Sequence, residues 1–435
     1  MGHDRRSAAQ AARCLRPSLC PGRRRRAAPR RPQPAAGAMT PASGSGADRR
    51  ADVLIYVQHL LGTGHLVRTA AIAAAAAAAG LSVVVASGGL PLPGLRLGGA
   101  RLVQLPPARA ADETFAALVD EAGRVVDEAW RMHRRARLID LFRATRPRVL
   151  VTEMFPFGRR LMRFELLPLL ECARAVRPRP RIVCSLRDVL TTHRTPGKTA
   201  WILDTFARFY DLALVHGDPA FLPLECSFPA ATRIAAHLRY TGYVAASAPP
   251  AARDGSRDCG RGEVVVSAGG GAVAAPLATT AVAARAHAGP LSTVPWRVLI
   301  GSGLPEPAFQ SIRAAAPAGV IVTRARPDFP ALLARARLSI SQAGYNTALD
   351  VLRAGVPALF VPYAARGETE QSLRARALAR IGVAGVLDPA ELAPEALARA
   401  AMEAAARPPV PLHLHLDGAA QSARILRALA QTVPA

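Results

Sequence analysis

Residues Ser339–Gln371, SISQAGYNTALDVLRAGVPALFVPYAARGETEQ, decide the fold. A short apolar run, SIS, enters a glycine-containing turn, and a helix starts near Asn346. A second apolar run, PALFVP, ends in the polar loop ARGETEQ. The order is strand, tight turn, helix, strand, acidic loop. In a doubly wound α/β sheet the loops at strand C-termini line the ligand crevice. A helix N-terminus with free N–H groups favours an anion. The stretch therefore reads as a pocket for a phosphorylated ligand.

Working outward, the same alternation fills the second half of the chain. Its strands are EVVVS (263–267), WRVLI (296–300), GVIVT (319–323), RLSIS (337–341), ALFVP (358–362) and VAGVL (383–387). The first half repeats the pattern, with strands expected at Asp52–Val57, Leu81–Ala86, Arg101–Leu105, Arg148–Thr152, Arg181–Leu186, Asp211–Val215 and Leu238–Tyr243. A long helical region is expected over Phe115–Ala144. Strands that alternate with helices build a parallel sheet. At 435 residues the chain is too long for one ordinary core. The expected organisation is a basic, disordered extension over 1–50, an α/β domain over 51–243, a Pro/Gly/Ala-rich linker over 244–262 and a second α/β domain over 263–408. A C-terminal segment with a helix over Asp417–Leu429 occupies 409–435.

The formal charge of +25 invites a nucleic-acid reading, which the distribution argues against. Lys198 is the single lysine, so the excess is arginine. Twelve arginines face only Asp4 and Asp48 within residues 1–50, and the others are scattered without interleaved aromatics. No nucleic acid is expected as partner. Attraction to anionic lipid, as a peripheral membrane contact, or to a phosphorylated substrate fits the charge better. Six cysteines without C-x-x-C spacing fit a reducing cytoplasm. No stretch reads as a membrane span. Residues 1–38 are basic and Pro-rich, and Met39 is an alternative start.

Four groups of residues carry chemistry. Ser267-Ala-Gly269-Gly270-Gly271 follows a strand and precedes a helix, so backbone N–H groups can approach a phosphate. In the opening stretch Gln342, Gly344, Asn346 and Thr347 form the turn into a helix. Asp350 lies one turn further, where a carboxylate could accept both hydroxyls of a ribose, or merely offset the helix dipole. Glu368, Glu370 and Gln371 stand on the next strand-end loop. In the first domain Gly62-Thr63-Gly64-His65 opens the first helix. Its N-terminal dipole favours a neutral imidazole, which can act as a general base. Glu153, Asp188 and His216 follow three strands and fall on the same side of the sheet as His65. GTGH is not G-x-G-x-x-G, and SGG rather than an acidic residue follows the second strand, which argues against a dinucleotide site. No D-x-D, H-E-x-x-H or Walker A motif occurs, so no metal and no cofactor is expected.

These segments resemble a known family. VVSAGGG, RPDFPALLARARLSISQAGYNTALDVLRAGVPALFVPY and ETEQ are similar to the C-terminal domain of family 28 glycosyltransferases. YVQHLLGTGH and VHGDP resemble a bacterial branch of glycosyltransferase-like sequences. The resemblance implies a GT-B fold, with two Rossmann-like domains whose parallel sheets face each other across a cleft. It implies metal-independent, inverting transfer of a hexosyl group from a nucleotide diphosphate sugar, a UDP-sugar first of all, to a hydroxyl acceptor. Gly269–Gly271, Gly344 and Thr347 would then face the diphosphate. Asp350 would take the ribose, Glu370 and Gln371 the sugar, and the backbone at Arg326 the base, with His65 on the acceptor side. Two departures stand out: GTGH replaces the family's GGTGGH, and Asp350 stands where the family has glutamate. A nucleotide-sugar epimerase or hydrolase, and a non-catalytic nucleotide-sugar-binding protein, are the alternatives on the same fold.

Overall fold

The structure is a computed structural model that describes residues 50–60, 62–112, 117–190, 196–245, 260–269, 274–364, 369–408, 410 and 414–434. Gly270, Gly271, Glu368, the basic extension over 1–49 and most of the linker, 246–259, lie outside the described residues.

The apolar runs of the first half form one parallel sheet of seven strands. They are β1 (Val53–Val57), β2 (Val83–Ser87), β3 (Arg101–Gln104), β6 (Val149–Glu153), β7 (Arg181–Arg187), β8 (Leu212–His216) and β9 (Leu238–Tyr240). Their spatial order is β3-β2-β1-β6-β7-β8-β9. A minor antiparallel pair, β4 (Arg109–Ala110) and β5 (Leu118–Val119), lies outside it. Every residue of β1, β2, β6 and β8 is buried. That is what continuous Val/Leu/Ile runs require when helices cover both faces. Those helices are α1 (Gly64–Ala78), α2 (Glu128–Thr145), α3 (Arg163–Ala175) and α4 (Pro196–Phe209).

The second sheet has six parallel strands in the order β12-β11-β10-β13-β14-β15. They are β10 (Val264–Ser267), β11 (Trp296–Ile300), β12 (Val320–Arg324), β13 (Leu338–Ser341), β14 (Ala358–Phe360) and β15 (Gly385–Val386). Its helices are α5 (Ala275–Ala284), α6 (Glu306–Ala314), α7 (Phe329–Leu333), α8 (Tyr345–Ala354), α9 (Glu370–Arg380) and α10 (Pro394–Ala406). The expected pair of Rossmann-like domains is therefore present. Each sheet reverses its strand order once, between β1 and β6 and between β10 and β13. Those switch points open a crevice at the strand C-termini.

One helix differs from the sequence reading. The expected helix over Phe115–Ala144 is only α2. Asp120 accepts a bond from Arg124 N, Gly123 has φ +80°, and residues before Asp127 turn instead of coiling. Asp127 then caps α2 by accepting from Trp130 N at 2.7 Å. The C-terminal helix α11 (Gly418–Gln431), expected over Asp417–Leu429, packs on the first domain. It runs along α1, and its Leu426 and Ala430 join the core of the first domain. The chain crosses back where Tyr243 N bonds His415 O at 2.7 Å and Gly418 N bonds Tyr243 O at 3.0 Å. Alanine on α1 (Ala73, Ala76) lets the two helices approach closely over the sheet.

Candidate active site

The switch point of the first sheet brings the end of β6 against the start of α1. His65 stands on the first turn of α1, and Glu153 is the last residue of β6. His65 Nδ1 and Glu153 Oε1 are 2.7 Å apart, with Glu153 fully buried and the His65 side chain 16% exposed. The carboxylate accepts the Nδ1 proton, which leaves Nε2 with its lone pair. Arg68, one turn along α1 from His65 and 3% exposed, donates Nη2 to the same Glu153 oxygen. Burial drives the His65 pKa down to about 3, with Arg159 and Arg68 adding to the fall and Glu153 opposing it. Burial acts to raise Glu153, but His65, Arg68 and Arg159 outweigh it and hold the carboxyl below its usual range. The pair at rest is thus a neutral imidazole on an ionised carboxylate.

Across the crevice, the second switch point presents the turn after β10 and the turn into α8. Ser267 O accepts from Gln342 N at 3.2 Å. Gly269 has φ +77°, and a Cβ there would lie 2.7 Å from Gln342 Oε1, so only glycine fits. Gly344 caps α8 in an extended conformation, and Tyr345, Asn346 and Thr347 form its first turn. Asn346 and Thr347 are half-buried, and among the described residues neither side chain makes a hydrogen bond. Asp350 is also half-buried, and burial raises its pKa to about 6 against the pull of Arg353. The two half-sites touch: a Cβ on Gly64 would lie 3.1 Å from Asn346 Nδ2. The N-termini of α1 and α8 therefore meet, one carrying His65 and the other the Gly344–Thr347 turn. Gly62 and Thr63 lead into α1, and Thr63 is its N-cap.

Three residues named from sequence occupy other surroundings. His216 is fully buried, with Nε2 2.8 Å from Ser185 Oγ and Nδ1 2.9 Å from Thr241 Oγ1, so neither ring nitrogen faces the crevice. Asp188, also buried, accepts from Arg374 Nε at 2.9 Å and Nη2 at 2.8 Å. Glu370 accepts from Arg374 Nη2 at 3.0 Å and pairs with Arg187 Nη1 at 2.6 Å. Arg187 and Asp188 belong to the first domain, Glu370 and Arg374 to the second, so this network fastens the two domains. Gln371 Oε1 accepts from Tyr363 N at 3.1 Å. Arg326 pairs with Asp328 just beyond β12.

The sequence reading did not single out Arg68, Tyr345 or Arg374. The Arg68 guanidinium lies 5.3 Å and that of Arg374 5.6 Å from the Tyr345 ring centre. The Tyr345 hydroxyl accepts from Val244 N at 3.0 Å and donates to His216 O at 3.1 Å. The signal was present as spacing: Arg68 is three residues after His65, and Arg374 four after Glu370.

Residues 270–415 match the glycosyltransferase family 28 C-terminal domain. A UDP-N-acetylglucosamine--N-acetylmuramyl-(pentapeptide) pyrophosphoryl-undecaprenol N-acetylglucosamine transferase of Brucella anthropi is 34% identical over 113 residues, 25% of this chain and 30% of that protein. The chain thus matches under a third of that relative's length. Among solved structures, the calicheamicin glycosyltransferase CalG4 superposes with a TM-score of 0.55 at 17% identity, covering 89% of this chain and 95% of its own. MurG of Acinetobacter baumannii gives 0.51 at 16% identity, covering 87% and 99%. The chain has the GT-B fold, and its residues 270–415 match the glycosyltransferase family 28 C-terminal domain.

Proposed function

We propose that the protein is a glycosyltransferase that moves a hexosyl group from a nucleotide diphosphate sugar to a hydroxyl acceptor. The observation that carries this reading is the meeting of two helix N-termini in the crevice, with the His65–Glu153 pair on one and the Gly344–Thr347 turn on the other. UDP is the nucleotide taken first, because the Brucella relative is named for a UDP-sugar. The donor lies on the second domain. Backbone N–H groups at Ser267–Gly271 and the first turn of α8 receive the diphosphate. Asp350 accepts from the ribose, Gln342 and Gln371 border the sugar, and the backbone at Arg326 borders the base. Glu368, outside the described residues, belongs to the same donor assignment.

The acceptor lies on the first domain beside Gly62–His65. Its hydroxyl oxygen attacks the anomeric carbon as the bond to the diphosphate oxygen breaks, with inversion. The proton passes to His65 Nε2, and Glu153 steadies the imidazolium that forms. The negative charge ends on the diphosphate, opposite two helix dipoles. This scheme uses no protein-held metal. Asp188 and Glu370 hold the domains at the angle that brings the half-sites together, and His216 underlies Tyr345. No helix among the described residues is long and apolar enough to cross a membrane. A cytoplasmic protein whose arginines touch an anionic membrane face is the placement we favour.

The test is product analysis by mass spectrometry with UDP-N-acetylglucosamine and a panel of hydroxyl acceptors. The expected result is a hexosyl adduct made by the wild type and not by His65→Ala. Donor turnover at an equal rate without any acceptor would replace this reading with a hydrolase or an epimerase.

A further inference from the structure

Arg68 touches both halves of the crevice, although it belongs to the first domain. Its Nη2 bonds the Glu153 oxygen that also holds His65 Nδ1, and Nη2 lies 3.2 Å from that nitrogen. Its guanidinium lies against the face of Tyr345, the first residue of α8. Arg374, bound to Asp188, lies over the same ring. A cation over a tyrosine face in a desolvated site is held by the ring quadrupole. Among the described residues the second, buried Glu153 oxygen has no hydrogen-bond partner, so Oε1 carries the contacts of this carboxylate there.

We propose that Arg68 is a positioning residue: it keeps the Glu153 carboxylate aimed at His65 Nδ1 and ties that pair to the donor domain through the Tyr345 ring. The proposal rests on the glycosyltransferase reading for its purpose, but not for its geometry. Its consequence is that the base is set only when α8 is seated. A donor domain that swings away takes Tyr345 off Arg68 and frees the guanidinium to leave Glu153.

The charged and titratable groups around the pair come from every neighbouring element. Arg68 is on α1, Glu153 on β6, Arg159 on the loop that follows, Cys184 and Arg187 on β7, His216 on β8, and Tyr345 on α8. Arg68 and Arg159 are the cations that favour a neutral His65. Removing Arg68 takes away one of these cations and also the contact that holds Glu153 Oε1, so the tautomer of the His65 ring, rather than its charge, reports the positioning.

The experiment reads the two His65 ring nitrogens by NMR in the substrate-free, full-length chain at pH 7.5, and so does not depend on any activity. In the wild type the ring is neutral and carries its proton on Nδ1, facing Glu153. In Arg68→Met the carboxylate is no longer held at Nδ1, and the Nε2–H tautomer rises to a substantial share. Arg68→Gln gives the same direction if the methionine variant does not fold. Arg68→Lys keeps a cationic donor and stays near the wild type. With an acceptor in hand, kcat falls in the two neutral variants more than KM rises. A lowered melting temperature with the Nδ1–H tautomer intact in the neutral variants would make Arg68 merely structural and overturn the proposal. Failure of all sugar transfer, with the tautomer changing as described, would instead remove the glycosyltransferase reading and leave the Arg68 geometry standing.

Discussion

The two walls of the crevice are built differently. On the first domain, His65, Arg68 and Glu153 bond one another and are largely buried. On the second domain, Asn346, Thr347 and Asp350 are half-buried and, among the described residues, make no side-chain hydrogen bond. One wall is bonded largely within itself; the other presents polar groups without a partner among the described residues. The difference separates two kinds of binding cost. A pre-bonded base loses little freedom when substrate arrives. On the proposed reading the second wall gains hydrogen bonds when the donor binds, and so sets affinity and nucleotide choice.

The largest expected effect breaks the first wall. His65→Ala lowers kcat by about 10²–10⁴-fold. Nucleotide affinity, read by calorimetry, stays at the wild-type value because His65 does not touch the donor. Equal losses in both quantities would merge the two walls into one unit.

Next in size is the fastening between them. Asp188→Asn leaves Arg374 buried with Glu370 as its remaining carboxylate partner, at a cost of about 1–3 kcal/mol in denaturant unfolding. A change below about 0.5 kcal/mol would show that the pair is solvated in solution and that the domain angle is not fixed by it.

The second wall is sharpened by Asp350→Ala, which weakens nucleoside diphosphate binding by about 1–3 kcal/mol if the carboxylate accepts from the ribose. The pH dependence carries a sign. With its pKa raised to about 6, Asp350 is ionised above that pH and protonated below it. The contribution of its carboxylate to binding is therefore present at pH 7.5 and fades as pH falls through 6. Because the ligand's own phosphate titrates nearby, the quantity to compare is the difference between wild type and Asp350→Asn at pH 7.5 and 5.5. A constant difference would remove Asp350 from the ribose.

The smallest effect concerns His65 again. A base whose pKa is lowered to about 3 stays neutral from pH 5 to pH 8. The His65 contribution to the kcat/KM profile is flat there, without the fall near pH 6.5 that an ordinary histidine would impose. An acid limb at pH 6–7 that His65→Ala abolishes would contradict the buried, neutral imidazole.

Much of this architecture could be read from the residues. Continuous runs such as VLIYV and LALVH announced buried parallel strands, and glycines after EVVVS and SIS announced loops at the crevice. The crevice rule put Glu153 on the same side of the sheet as His65, without singling it out from Asp188 and His216. Side-chain pairing was less legible. Asp188 and Glu370 have the chemistry of ligand-binding residues, and no local pattern tells that Arg374 takes both. His216 ends a strand as a site residue would, yet Ser185 and Thr241 turn its ring inward. Phe115–Ala144 carried a helical period that the Asp120–Gly123 turn overrides. The return of α11 to the first domain is a tertiary fact with no sequence-local cause.

The most direct test of the donor site is a thermal-shift titration of the full-length chain with UDP, dTDP, GDP and ADP. The account predicts that UDP raises the melting temperature saturably, as ligand binding to the native state requires, and that Asp350→Asn removes most of that rise at pH 7.5. No rise with any of the four at millimolar concentration would contradict it.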